Sequence, residues 1–119
     1  MPRLHHVQVS CPVGGESAAR AFYGELLGLT EVAKPPALAA RGGVWFRDPG
    51  VELHVGIEEP FTPAAKAHPA LLVDDVDAAA ARLAAAGHDV TWTDGFPAYR
   101  RFHTHDGAGN RVEVLGELP

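Results

Sequence analysis

The sequence predicts an α+β fold in which one strand, helix and hairpin unit occurs twice. Three observations carry this reading: an internal repeat, two helix-like stretches with end signals, and strand-like runs that alternate apolar and polar residues. The first half reads Leu4-His5-His6-Val7-Gln8-Val9, then a helical stretch, then Trp45-Phe46-Arg47-Asp48-Pro49-Gly50-Val51-Glu52-Leu53. The second reads Ala67-His68-Pro69-Ala70-Leu71-Leu72-Val73, then a second helical stretch, then a run from Phe102 through Asp106-Gly107-Ala108-Gly109-Asn110 to Val114. His6 and Glu52 lie 46 residues apart, and His68 and Glu113 lie 45 apart. Each half thus opens on a strand with a histidine and closes on a strand with a glutamate.

The first helix is expected over residues 16–27. Glu16 or Ser17 opens it, Phe22 and Leu26 stack at i, i+4 as do Tyr23 and Leu27, and Gly28 suits the left-handed residue that follows a helix. A strand-like run follows over 29–32. The segment Glu58-Glu59-Pro60-Phe61-Thr62-Pro63 cannot continue a central strand, because its prolines lack the ladder N–H, so it reads as the linker. The second helix is expected over 75–86, with Asp74 or Asp75 as N-cap, Asp77 at the positive end of the helix dipole and Gly87 closing it. Its alanine-rich face can pack closely on a sheet. A strand-like run over 89–93 comes next.

At 119 residues and 46% apolar content the chain suits one packed domain, with modules of about 1–59 and 66–119. A net charge of −5 supplies no basic stripe to neutralise a phosphate backbone, so nucleic acid is not an expected partner. No segment reaches the roughly 18 apolar residues of a membrane span, and the N-terminus lacks a signal-peptide core. The expectation is a cytoplasmic protein with no membrane partner. A single cysteine, Cys11, leaves neither an internal disulfide nor a thiolate zinc site, so any metal would be held by His, Asp and Glu.

Strand parity sorts the candidate ligands. Val7 and Val9 oppose His6 and Gln8; Val51, Leu53 and Val55 oppose Glu52 and His54; Leu71 and Val73 oppose His68; Val112 and Val114 oppose Glu113. An aliphatic face under helices and a second face with one His or Glu per strand suit a sheet curved around a polar cavity, where two His and two Glu converge. Charged groups on such a face are costly unless solvated, paired or bound to a metal. His5 shares the parity of Val7 and Val9 and is the weaker choice. His54, on the face of Glu52, His103, on the face of Arg101, and Arg101 itself, able to grip a carboxylate bidentately, are the substrate-binding candidates.

Four motifs, His6-Val7-Gln8-Val9, Ala21-Phe22-Tyr23 with Leu26-Leu27-Gly28-Leu29, His68-Pro69-Ala70-Leu71-Leu72-Val73 with Asp74-Asp75-Val76-Asp77, and Asp106-Gly107-Ala108-Gly109-Asn110-Arg111-Val112-Glu113, resemble the vicinal oxygen chelate superfamily over nearly the whole chain. That group includes glyoxalase I, extradiol dioxygenases, fosfomycin-resistance and bleomycin-resistance proteins. The resemblance implies two βαβββ modules forming a curved mixed sheet around a central cavity. It further implies a divalent metal on His6, His68 and Glu113 with Glu52 as fourth ligand, Glu52 or Glu113 moving a proton, a small-molecule substrate and a homodimer. Asp106-Gly107 stands where relatives carry Asp-Pro, and the chain lacks the extra helices of many glyoxalase I enzymes. Two imidazoles with one or two carboxylates suit Zn, Ni, Mn or Fe(II) without choosing among them. The competing class is a metal-free binder of a drug or metabolite, as in bleomycin-resistance-like members.

Overall fold

The computed structural model describes residues 1–119, which divide into two compact units, Met1–Pro63 and Ala64–Pro119. The first contains β1 (Val7–Cys11), α1 (Glu16–Ala19) continued by a π-helical segment (Arg20–Leu26), β2 (Glu31–Val32), a one-turn α2 (Pro36–Ala39), β3 (Val44–Asp48) and β4 (Val51–Ile57). The second contains β5 (Ala70–Leu72), α3 (Val76–Ala85), β6 (Thr91–Thr93), β7 (Tyr99–His105) and β8 (Arg111–Glu117). Each unit is a βαβββ module with a four-stranded mixed sheet, ordered β1-β4-β3-β2 and β5-β8-β7-β6. The fold class is the one the repeat predicts. No helix is long and apolar enough to cross a membrane.

The order within each sheet follows from its connections. A parallel pair needs a crossover, and β1 pairs parallel with β4 and β5 with β8 across the helices of their units. The remaining neighbours are antiparallel, and tight turns join the last two strands of each unit. In the first turn Pro49 presets φ and Gly50 takes the positive φ of +82°. In the second, Asp106 accepts hydrogen bonds from the backbone N–H groups of Ala108 and Asn110, both at 2.9 Å. These turns set the registers that place Arg47 opposite Glu52, Trp45 opposite His54, and His103 opposite Glu113.

The apolar parity forms the cores. Phe22, Tyr23, Val44, Phe46, Leu53 and Val55 are buried in the first unit, and Ala79, Leu83, Phe102, Val112 and Val114 in the second. From Arg20 onward the first helix winds more widely than expected, Leu27 N–H donating to the Phe22 carbonyl five residues back at 3.0 Å. That wider turn brings neighbouring side chains closer in angle, and both Phe22 and Tyr23 reach the interior. In α3 the Asp75 side chain caps the Ala78 N–H at 3.0 Å, and Gly87 at φ +91° closes the end.

Strands are shorter than the sequence runs: residues 29–32 reduce to Glu31–Val32 and 89–93 to Thr91–Thr93, and both His6 and His68 precede their strands. Helix and sheet approach closely at Gly116 in the second unit, since a Cβ there would lie 2.8 Å from Val76 Cβ. Gly116→Ala is therefore expected to destabilise the protein by about 1–3 kcal/mol through overpacking, read as a lower denaturant midpoint at unchanged slope.

Candidate metal centre

In the second unit one glutamate gathers two histidines. Glu113 projects from β8 on the face opposite Val112 and Val114 and is 5% exposed. Its Oε1 lies 2.9 Å from His68 Nε2 and 3.5 Å from His103 Nε2. One ligand atom from each of the three residues falls within 4.8 Å of the other two.

The far side of each ring fixes its tautomer. His68 Nδ1 lies 2.8 Å from the Lys66 carbonyl, which can only accept, so that nitrogen carries the proton. Thr93 Oγ1 donates to the Thr91 carbonyl at 3.4 Å and accepts from His103 Nδ1 at 3.0 Å. In the neutral form of each ring Nε2 is therefore the unprotonated nitrogen, and both Nε2 atoms face Glu113 Oε1. Three acceptors facing one another repel unless a positive charge lies among them, and metal-bound histidines typically donate their other N–H to a carbonyl or similar partner. The donor set fits a divalent ion.

Arg101 completes the surroundings: Nη1 donates to Glu113 Oε2 at 3.3 Å and Nη2 to the Asp94 carbonyl at 3.2 Å, while Nε is buried with no partner. Burial raises the Glu113 pKa, but its contacts with His68 and Arg101 outweigh it and hold the carboxyl below its usual range. Burial, followed by the nearby Arg111 charge, pushes His103 down and favours its neutral form. Arg101 also lines a cavity of about 200 Å³ together with Trp92, Thr93, Tyr99, Arg100 and Leu118.

The first unit builds a related group from different positions. One ligand atom each from His5, His6 and Glu52 falls within 4.8 Å of the others, and His5 Nδ1 lies 2.9 Å from His6 Nδ1. Arg47 Nε donates to Glu52 Oε1 at 2.6 Å, and His54 Nε2 lies 2.8 Å from Glu52 Oε2. The Arg47 bond first and the His54 bond second lower the Glu52 pKa to about 2. His54 is 4% exposed, and burial is the main cause of its lowered pKa. Its ring stacks on Trp45 at 3.8 Å and 1° and on His6 at 4.1 Å and 20°.

The four residues expected as ligands thus meet pairwise, His6 with Glu52 in one unit and His68 with Glu113 in the other, each pair joined by a further histidine. His103, expected to bind substrate, stands in the His68–Glu113 group, and the cross-strand register is the signal for it. Arg101, expected to bind substrate, holds Glu113, and His54 holds Glu52. His5 joins His6 because both precede β1, where strand parity no longer applies.

His54 and His103 give the metal-free chain a defined pH response. Their folded pKa values lie below the unfolded value of about 6.5, so as pH falls through 6.5 the unfolded state takes up protons that the folded state refuses. Stability from these two groups is complete above that pH and declines on acidification toward their folded pKa values; Glu52 extends the loss below 4.5, toward about 2. In excess chelator the melting temperature is expected to be lower at pH 5 than at pH 7.5, with a smaller difference for His54→Phe. A melting temperature flat across this range contradicts the assignment.

The paired βαβββ modules and their His and Glu groups define a class, and residues 3–114 match the model of the Glyoxalase/Bleomycin resistance protein/Dioxygenase superfamily, to which this chain belongs. Among solved structures it is similar to a glyoxalase family protein from Bacillus anthracis, with 42% identity, coverage of 99% of this chain and 97% of that one, and a TM-score of 0.92. It is also similar to an antibiotic binding protein from Streptomyces sp. CB03234, with 27% identity, coverage of 99% of both chains and a TM-score of 0.72. A lactoylglutathione lyase from Agrobacterium tumefaciens shares the fold, at 22% identity, coverage of 98% and 94%, and a TM-score of 0.72. No curated protein matches the sequence.

Proposed function

We propose that residues 1–119 act as one functional domain, a cytoplasmic metal-dependent enzyme on a small oxygenated metabolite, with lyase or isomerase chemistry of the glyoxalase kind ahead of dioxygenase chemistry. The candidate ligands are His68 and Glu113, with His103 beside them, in the second unit, and His6 and Glu52, with His5 beside them, in the first, each group taken by itself, and the ion is Zn, Ni, Mn or Fe(II). The observation that carries this reading is the convergence of the His68 and His103 Nε2 lone pairs on Glu113 Oε1, with both Nδ1 atoms already engaged. A divalent ion bound there supplies a Lewis acid to adjacent substrate oxygens.

The chain's own residues divide the remaining work. Glu52, with a pKa of about 2, is a poor proton acceptor near neutrality and serves to hold charge. Glu113 is the group we assign to proton transfer. Arg101 steadies Glu113 through Oε2 and leaves Oε1 toward the histidines. We also propose a homodimer, tested by light scattering of a dilute sample, where a strict monomer refutes it.

A second reading has its own support. The antibiotic binding protein is similar over its whole length, and both glutamates already have arginine partners, so neither strictly requires a cation. The deciding experiment loads the protein with Zn, Ni, Mn or Fe(II), measures bound metal per chain, and assays thiol hemithioacetals, 2-oxo acids and catechols with and without chelator. Metal-dependent turnover supports the enzyme; negligible metal after every loading, together with tight metal-free ligand binding, supports the binder.

A further inference from the structure

We propose that His54 is a positioning residue that fixes two prospective metal ligands at once, holding Glu52 by a hydrogen bond and His6 by ring stacking. The inference rests on the metal-centre reading above and adds to it a residue that does not itself supply a converging ligand atom.

His54 lies in β4 on the face opposite Leu53 and Val55, two residues beyond Glu52, so strand alternation puts both side chains on one side of the sheet. Across the β3–β4 ladder it is paired with Trp45, and the two rings lie parallel 3.8 Å apart. Its other face lies against His6 at 4.1 Å, making a three-ring stack Trp45, His54, His6. His6 itself is exposed and precedes β1, so no strand ladder holds it. The stack supplies a surface against which that ring is oriented. At the edge of the same imidazole, Nε2 donates to Glu52 Oε2 at 2.8 Å, while Arg47 occupies Oε1 from the exposed side.

A valine or leucine would fill this buried position without desolvating a polar ring. What an aliphatic residue cannot supply is a flat surface for His6 combined with an N–H for Glu52. The second unit solves the same problem with other positions: the cross-strand pair corresponding to Trp45 and His54 is Arg101 and Leu115, and Arg101 holds the glutamate there.

Three variants separate the two contacts. His54→Phe keeps a ring and removes the N–H, His54→Gln keeps an N–H donor at nearly the same reach and removes the ring, and His54→Ala removes both. Titration of the metal-free full chain with Zn or Ni, followed at the His6 ring resonances so that the group in the first unit is read, is expected to give roughly 10–100-fold weaker affinity for His54→Phe and His54→Ala, the range typical when a group orienting a metal ligand is lost. His54→Gln is expected to recover part of the loss. Carbon and nitrogen NMR of the chelated protein reads the positioning without any metal: the Glu52 carboxyl resonance is expected to move in His54→Phe, and the His6 ring resonances, shielded by the stack, are expected to move in His54→Gln. Unchanged Glu52 and His6 resonances in both variants overturn the proposal, as do parental metal affinities in all three. A parent chain that binds no ion defeats the metal-centre reading alone, and the NMR comparison still decides the role of His54. His54→Phe, close in shape to imidazole, keeps the test valid if the alanine variant does not fold.

Discussion

His68→Ala is expected to bind divalent ions on the order of 100-fold more weakly than the parent chain, about 2.7 kcal/mol, because the loss of one neutral nitrogen leaves the coordination shell incomplete. The orientation of the His68 ring makes it a candidate ligand. Its Nδ1 proton is committed to the Lys66 carbonyl, so Nε2 presents a lone pair to Glu113 Oε1 at 2.9 Å. Removing the ring deletes a donor that is already oriented. The His68 side chain is 24% exposed, so the substitution opens no deep cavity, and the melting temperature of the chelated variant should stay near that of the parent. Competition titration against a chromophoric chelator gives the affinity, and the chelated melt gives the control. Equal affinity in parent and variant means His68 is not a ligand, whereas a comparable fall in chelated stability means that the affinity loss has a structural origin.

Much of this arrangement is legible in local sequence patterns. The helix over 75–86 is marked by Asp75 and Gly87, which act within their own turns, and α3 is capped by both. Glu113 is marked by alternation, because β8 is regular and buries Val112 and Val114 on the face away from the glutamate, whereas His68 lies two residues before β5 and reaches it outside the strand. Parity fails where it is carried beyond the strand ends: β1 starts at Val7, so the chain before it is free to bring His5 beside His6. The roles of His103, His54 and Arg101 depend on which residue faces which across a hairpin. Counting outward from the Pro49-Gly50 turn gives Arg47 opposite Glu52 and Trp45 opposite His54. Counting from the three-residue loop Gly107-Ala108-Gly109 gives His103 opposite Glu113. Those pairings are implicit in the chain, but extracting them requires a definite turn geometry. The π-helical winding has no such local marker, and the single turn α2 has only the proline at its start. Neither contributes a side chain to the candidate ligand groups.

Glu113→Gln is expected to reduce metal-dependent turnover by roughly 10²–10⁴-fold, the usual contribution of a positioned acid–base group. The amide keeps the shape of the carboxyl and one oxygen, but it accepts a proton far less readily and carries no charge to balance Arg101 or a cation. Since Arg101 Nη1 points at Oε2, the variant also loses a charge-assisted hydrogen bond in a site where Glu113 is 5% exposed, at a cost of about 1–3 kcal/mol in stability. Rates are therefore compared well below the melting temperature of the variant, at saturating metal and with the bound ion quantified in the same sample, so that neither unfolding nor an empty site passes for lost chemistry. Glu52→Gln measured in parallel separates the two glutamates: a carboxyl held at about 2 by Arg47 and His54 contributes charge, so its loss is expected to act on metal affinity more than on turnover at saturation. The binding-protein reading predicts a different pattern. There both variants retain the parental affinity for an antibiotic-like ligand in excess chelator, and no member of the substrate panel turns over in any of the three proteins. That pattern replaces the enzyme by a binder on the same fold.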